Sequence, residues 1–148
     1  MALADGVNIL LVEDNPHDAE LTLLALKAHN LANNFFIVND GAEALDFLFA
    51  RGPYTDRLHS PLPQVILLDI KLPKINGLEV LQAIKANDAT KTIPVVIVTS
   101  SAEDPDIRAA YRLGANSYVV KPVGFEAFQE AMSRLGFYWL LVNHPSQS

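Results

Sequence analysis

The sequence predicts an α/β fold: a five-stranded parallel sheet, doubly wound by helices on both faces. Three observations carry this. Short aliphatic runs with almost no polar interruption recur five times, as expected of strands buried on both faces. Segments rich in helix formers separate them. Each run ends in a polar or turn-forming cluster, the edge at which ligands sit in such folds.

The first run is Val7-Asn8-Ile9-Leu10-Leu11-Val12, broken by Glu13-Asp14-Asn15-Pro16. Pro16 can open a helix, and Leu21, Leu24, Leu26 and Ala28 roughly follow one face of it. Phe35-Phe36-Ile37-Val38 is the second run. A helix is expected over Ala42–Ala50, with Ala44, Leu45, Leu48 and Phe49 on its buried side. Residues 51–63 hold three prolines and a glycine and read as a long surface loop. Val65-Ile66-Leu67-Leu68-Asp69 is the strongest strand signal. Leu72–Gly77 is a turn, and Leu78, Leu81 and Ile84 mark the next helix. Pro94–Val98 is a fourth strand, Pro105–Leu113 a helix ended by Gly114, and Ser117–Val120 a fifth strand. A long last helix runs from Phe125 to about Val142.

The length, 148 residues, suits a single domain. A net charge of -6 without a basic run argues against binding nucleic acid through its phosphates. The absence of cysteine excludes disulfides, thiolate metal sites and cysteine nucleophiles. No run nears the ~20 apolar residues that span a membrane, and the N-terminus lacks a secretory pattern. A cytoplasmic protein without a membrane partner is the expectation.

The chemistry collects at the strand ends. Glu13 and Asp14 follow the first strand, Asp69 the third, Thr99 and Ser100 the fourth, and Lys121 the fifth. Singly, each would pass for a cap or turn residue. Together they aim three carboxylates, hydroxyls and an amine at one edge. Three close carboxylates need a cation or a raised pKa. Oxygen-only ligands favour a hard ion such as Mg²⁺. A metal and a lysine around one carboxylate suit phosphoryl oxygens, and attack by Asp69 on phosphorus would give an acyl phosphate. His17, His29, His59 and His144 lie away from strand ends and are read as surface residues. There is no nucleophile elbow, GxGxxG or Walker sequence.

These motifs resemble the receiver domain of two-component response regulators. The matching stretches are Leu11-Val12-Glu13-Asp14-Asn15, Leu67-Leu68-Asp69-Ile70-Lys71-Leu72-Pro73 with Asn76-Gly77, Val98-Thr99-Ser100, and Tyr118-Val119-Val120-Lys121-Pro122. The resemblance covers about Val7 to Arg134 and implies a flavodoxin-like sheet of order 2-1-3-4-5. It implies that Asp69 takes a phosphoryl group from a sensor histidine kinase. Mg²⁺ (or Mn²⁺) would be held by Asp14, Asp69, the Lys71 carbonyl and Glu13. Thr99, the Ser100 backbone and Lys121 would hold the phosphoryl group. Thr99 and Tyr118 would form the switch, with Tyr118 moving inward, and the bond before Pro122 would be cis. Such a protein is a signalling phosphoacceptor rather than a turnover enzyme. Gly52-Pro53-Tyr54 and Leu72-Pro73-Lys74 resemble, more narrowly, the single-domain regulators of cyanobacterial phytochrome histidine kinases, implying red/far-red signalling. Lys71 departs from the commoner neutral or acidic residues, and the family tunes dephosphorylation there and at Ser101.

Residues 135–148 are expected to form a helical extension and tail with no room for a DNA-binding domain. Phe125, Phe128 and Met132 fit one buried stripe, but Phe137, Tyr138 and Trp139 open an apolar run that covers every side of a helix. A homodimer through this last helix is the expectation, output passing through helix 4, strand 5 and helix 5. Three rivals stand beside the switch. A haloacid-dehalogenase-like phosphatase would want a second acid where Lys71 lies. A flavin binder would want a phosphate-cradling loop where Glu13-Asp14 lies. An inactive receiver used as a scaffold would not need the full set of site residues.

Overall fold

The computed structural model describes residues 9–27, 35–121 and 126. Apart from Glu126, the expected last helix lies outside these residues, including Phe125, Phe128, Met132, Phe137, Tyr138 and Trp139, as do Pro122, His29 and His144. The described elements are β1 (Ile9–Val12), α1 (Pro16–Lys27), β2 (Phe35–Val38), α2 (Gly41–Leu48), β3 (Val65–Leu68), α3 (Gly77–Ala86), β4 (Val95–Thr99), α4 (Asp104–Arg112) and β5 (Ser117–Val120). The strands pair in parallel in the order β2-β1-β3-β4-β5. This is the predicted fold.

Successive strand side chains point to opposite faces, so each aliphatic run feeds two cores. Leu10, Val12, Ile66, Leu68, Val95 and Ile97 pack with Phe47, Val80, Leu81, Ile84 and Ala110, from α2, α3 and α4. Ile9, Leu11, Val65, Leu67, Val96 and Val98 pack with Ala19 and, at its margin, Leu23, from α1. Every residue of β1, β3 and β4 is buried, which is why those strands read as unbroken hydrophobic runs.

Three helix faces differ from expectation. Leu21 and Leu24 of α1 are 38% and 58% exposed, whereas Ala19 and Thr22 are buried. Leucines crowd this helix too densely to mark one stripe, and small Ala19 lies against the sheet. In α2 the buried stripe is Ala44, Phe47 and Leu48, while Leu45 and Phe49 are half-buried. In α3 it is Gly77, Val80, Leu81 and Ile84, and Leu78 sits at its margin.

Residues 51–63 are not simply a surface loop. Gly52–Arg57 forms two short 3-10 turns with a kink at Tyr54. Tyr54 meets Phe36 and Phe47 edge-on, with centroids 6.0 and 5.3 Å apart. The Arg57 guanidinium lies 3.7 Å over the Phe47 ring. The Tyr54 hydroxyl donates to Glu43. Proline content signalled a loop, but one aromatic and one planar cation anchor it on α2.

Burial, aided by the Glu43 carboxylate, raises the Tyr54 pKa above its ordinary 10.0. The folded chain therefore holds this proton more tightly than the unfolded chain. The resulting stabilisation is fully present below pH 10, the unfolded value, and is lost as pH rises toward the folded one. Tyr54→Phe is expected to flatten that alkaline loss of stability, measured as urea midpoints on either side of pH 10.

Candidate functional site

The sheet continues one residue past three of its strands, and this builds the site. The Glu13 amide donates to the Val38 carbonyl at 3.0 Å, the Asp69 amide to Val12 at 3.1 Å, and the Lys121 amide to Thr99 at 2.8 Å. Backbone pairing therefore fixes Glu13, Asp69 and Lys121 at the same C-terminal edge, with β4 between Asp69 and Lys121. Leu68 pairs with Ile97, which puts Thr99 one step beyond Asp69 on the neighbouring strand.

Lys121 is the hub. Its Nζ lies 2.7 Å from Glu13 Oε1, 2.8 Å from Asp69 Oδ2 and 2.9 Å from Asp18 Oδ2. The Lys71 amide donates to Asp69 Oδ1 at 3.0 Å, and the Asn15 amide to Glu13 Oε2 at 3.2 Å. One carboxylate oxygen from each of Glu13, Asp14 and Asp69 converges within 4.8 Å. Glu13 and Asp69 are buried, while Asp14 is exposed and gives the cluster an open side.

Burial raises the Glu13 pKa; the hydrogen bond from Lys121 opposes this and the nearby Asp69 charge adds to it. Burial alone would lower the Lys121 pKa, but its bonds to Asp69, Glu13 and Asp18 outweigh that and raise it. The ammonium is held charged among anions.

The oxygen-only donor set, partly buried and already drawing in one cation, fits a hard divalent ion. Glu13, Asp14 and Asp69 could hold it, with the backbone at exposed Lys71 alongside. Thr99 Oγ1 is fully buried and has no hydrogen-bond partner among the described residues. Such an orphan is costly unless something else accepts its proton, and an anion beside Asp69 would do so. Ser100, next to it, is exposed. Tyr118 is half-buried against the core, its hydroxyl donating to the Ser101 carbonyl at 2.9 Å. Ser101 Oγ in turn donates to Asp106. His17 and His59 are exposed, away from the converging carboxylates.

Two features escaped the sequence reading. Asp18 reaches Lys121 from α1, and its signal was the Asn15-Pro16-His17-Asp18 start. There Asn15 caps the helix, Pro16 opens it, and the third helical residue turns back toward the strand end. Gly77, read as part of a turn and of a matching stretch but given no role, lies against the backbone of the Asp69 loop. A Cβ there would stand 2.0 Å from the Asp69 carbonyl oxygen.

A family model for the response regulator receiver domain matches residues 9–133. The chain belongs to that family. This receiver domain is 40% identical over 140 residues to the probable methanogenesis regulatory protein FilR2 of Methanothrix harundinacea, covering 92% of this chain and 85% of the relative. It is 39% identical to response regulator Rcp1 of Synechocystis, covering 89% and 88%. Among solved structures it is similar to the bacteriophytochrome response regulator AtBRR, with 52% identity, a TM-score of 0.80, and 92% and 96% of the two chains covered. Receiver domains of response regulators are signalling modules. The phosphatase and flavin readings find no such support: Lys71 stands where a phosphatase of this geometry needs an acid, and Glu13-Asp14 would repel a flavin phosphate. Among the described residues, no helix is long and apolar enough to cross a membrane.

Proposed function

We propose that this chain is a single-domain response regulator that accepts a phosphoryl group on Asp69 from a histidine kinase and signals by a change of surface. The observation carrying this is the edge itself: Asp69 bound to Lys121, flanked by Glu13 and Asp14, with the Thr99 hydroxyl without a partner among the described residues. The chain spans 85% and 88% of FilR2 and Rcp1, which supports the single-domain reading.

In the proposed reaction an Asp69 carboxylate oxygen attacks the phosphorus of a phosphohistidine. The new P–O bond forms as the P–N bond breaks, and the leaving imidazole nitrogen takes a proton. Lys121 balances charge on the phosphoryl oxygens, Thr99 Oγ1 and the Ser100 backbone donate to them, and the Lys71 amide orients the acceptor. Mg²⁺ or Mn²⁺ held by Glu13, Asp14, Asp69 and the Lys71 carbonyl would neutralise developing negative charge. The Mn²⁺-bound form of Rcp1, at TM-score 0.74 and 39% identity, supports that choice of ion.

The readout would run from Thr99 through Tyr118 to the face of α4 and β5, where Tyr111 and Val120 are 41% and 38% exposed. A homodimer through that face and the last helix is part of the proposal, as is a cytoplasmic setting. A phytochrome-type kinase is the partner favoured: two bacteriophytochrome regulators share 50% and 52% identity with the chain, above the 40% of FilR2.

Intact-protein mass spectrometry after incubation with Mg²⁺ and acetyl phosphate tests the function. One added phosphoryl group, removed by hydroxylamine and absent when EDTA replaces Mg²⁺, is expected. No uptake under any condition would overturn the reading. Thr99→Ala, losing one donor to an anionic group, is expected to slow uptake roughly tenfold to hundredfold in the same assay.

A further inference from the structure

Lys121 offers three N–H donors, and three carboxylates take them: Glu13, Asp69 and Asp18. Glu13 and Asp69 also belong to the converging trio that suits a divalent cation, and Asp18 does not. The ammonium and a dication therefore claim the same two carboxylates. Glu13 and Asp69 side chains are 1% and 6% exposed, so neither can turn to solvent to serve both. Asp18 differs in every respect. It comes from α1 rather than a strand end, and its side chain is 31% exposed. Its backbone is fixed by its amide, which donates to Asn15 Oδ1 at 3.0 Å.

We propose that Asp18 is a positioning residue that holds the Lys121 ammonium aside, leaving Glu13 and Asp69 to a divalent cation. This rests on the metal-binding reading above. Asp18 gives the ammonium an anionic hold outside the cation trio. When Lys121 loosens its bonds to Glu13 and Asp69, it then stays charged and paired instead of stranded in a poorly solvated site. Without Asp18, Lys121 keeps only the two carboxylates the cation needs and competes for them.

The test is a double-mutant cycle on the full chain, read as Mg²⁺ affinity by isothermal titration calorimetry. Asp18→Asn is expected to weaken Mg²⁺ binding about fivefold or more, in the range for groups in direct contact. Lys121→Met should tighten it. In the Lys121→Met background, Asp18→Asn should change affinity by less than about twofold. Equal weakening in both backgrounds would overturn the proposal, because Asp18 would then act on the cation directly as a charge. Unchanged affinity in Asp18→Asn alone would overturn it too. If the wild-type chain takes up no Mg²⁺, the metal reading itself fails, an outcome distinct from equal binding by wild type and Asp18→Asn. Asp18→Ser, run beside it with circular dichroism melts, separates these results from misfolding.

Discussion

Asp69→Asn is expected to take up no phosphoryl group from acetyl phosphate, and to bind no beryllofluoride with Mg²⁺, while folding normally. An amide oxygen is a far weaker nucleophile than a carboxylate. The substitution is nearly isosteric, and the backbone contacts that place residue 69 do not involve the changed atom. It also removes one of the charges drawing on Lys121, whose remaining partners are Glu13 and Asp18. The fold should therefore survive. Intact mass and a thermal melt check the two halves together. Phosphate uptake equal to wild type would mean that Asp69 is not the acceptor.

Gly77→Ala is expected to carry the largest stability loss of any single methyl addition in the chain's site. The Gly77 amide donates to the Ile70 carbonyl at 2.7 Å, which draws the start of α3 onto the loop after β3. An added Cβ would stand 2.0 Å from the Asp69 carbonyl oxygen and 2.6 Å from the Ile70 Cα. These are backbone atoms, so no rotamer change can relieve the overlap. Either the helix start or the loop after β3 must move. A loss of about 3 kcal/mol or more is expected, at the upper end of overpacking effects, and about 10 °C in Tm. Differential scanning calorimetry gives the second figure directly. A shift below about 2 °C would show that the loop yields freely.

The sheet was legible because strands buried on both faces carry almost no polar residues: β1 and β3 have none, and β4 has only Thr99, at its end. Site residues were legible because parallel strands end at one edge, so Glu13, Asp69, Thr99 and Lys121 had to be neighbours once the fold was known. Helix faces were less so. In α1, leucines at 21, 23, 24 and 26 fit several stripes, and only packing by Ala19 selects one. Phe47 was passed over between two plausible neighbours, and its burial depends on Tyr54 and Arg57 arriving from residues beyond the helix. Asp18 could be placed at a helix start but not paired with Lys121, for a related reason. Its partner lies 103 residues away, and no periodicity links a helix start to the end of the last strand.

The three ladder bonds that extend past the strands bear on the timing of the proposed reaction. Amides bonded within a central parallel ladder exchange with solvent mainly when the whole sheet opens. That of Asp69, bonded between the central strands β3 and β1, should be among the slowest in the protein, unusual for a group at a reactive surface. Under the proposed function, the acceptor would then be held in place by folding itself, before any donor arrives. Under the proposed function a donor need contribute only a labile phosphorus bond, and a molecule far smaller than a kinase would suffice. A kinase would then act as a matter of address and not of catalysis, deciding which receiver is charged and when.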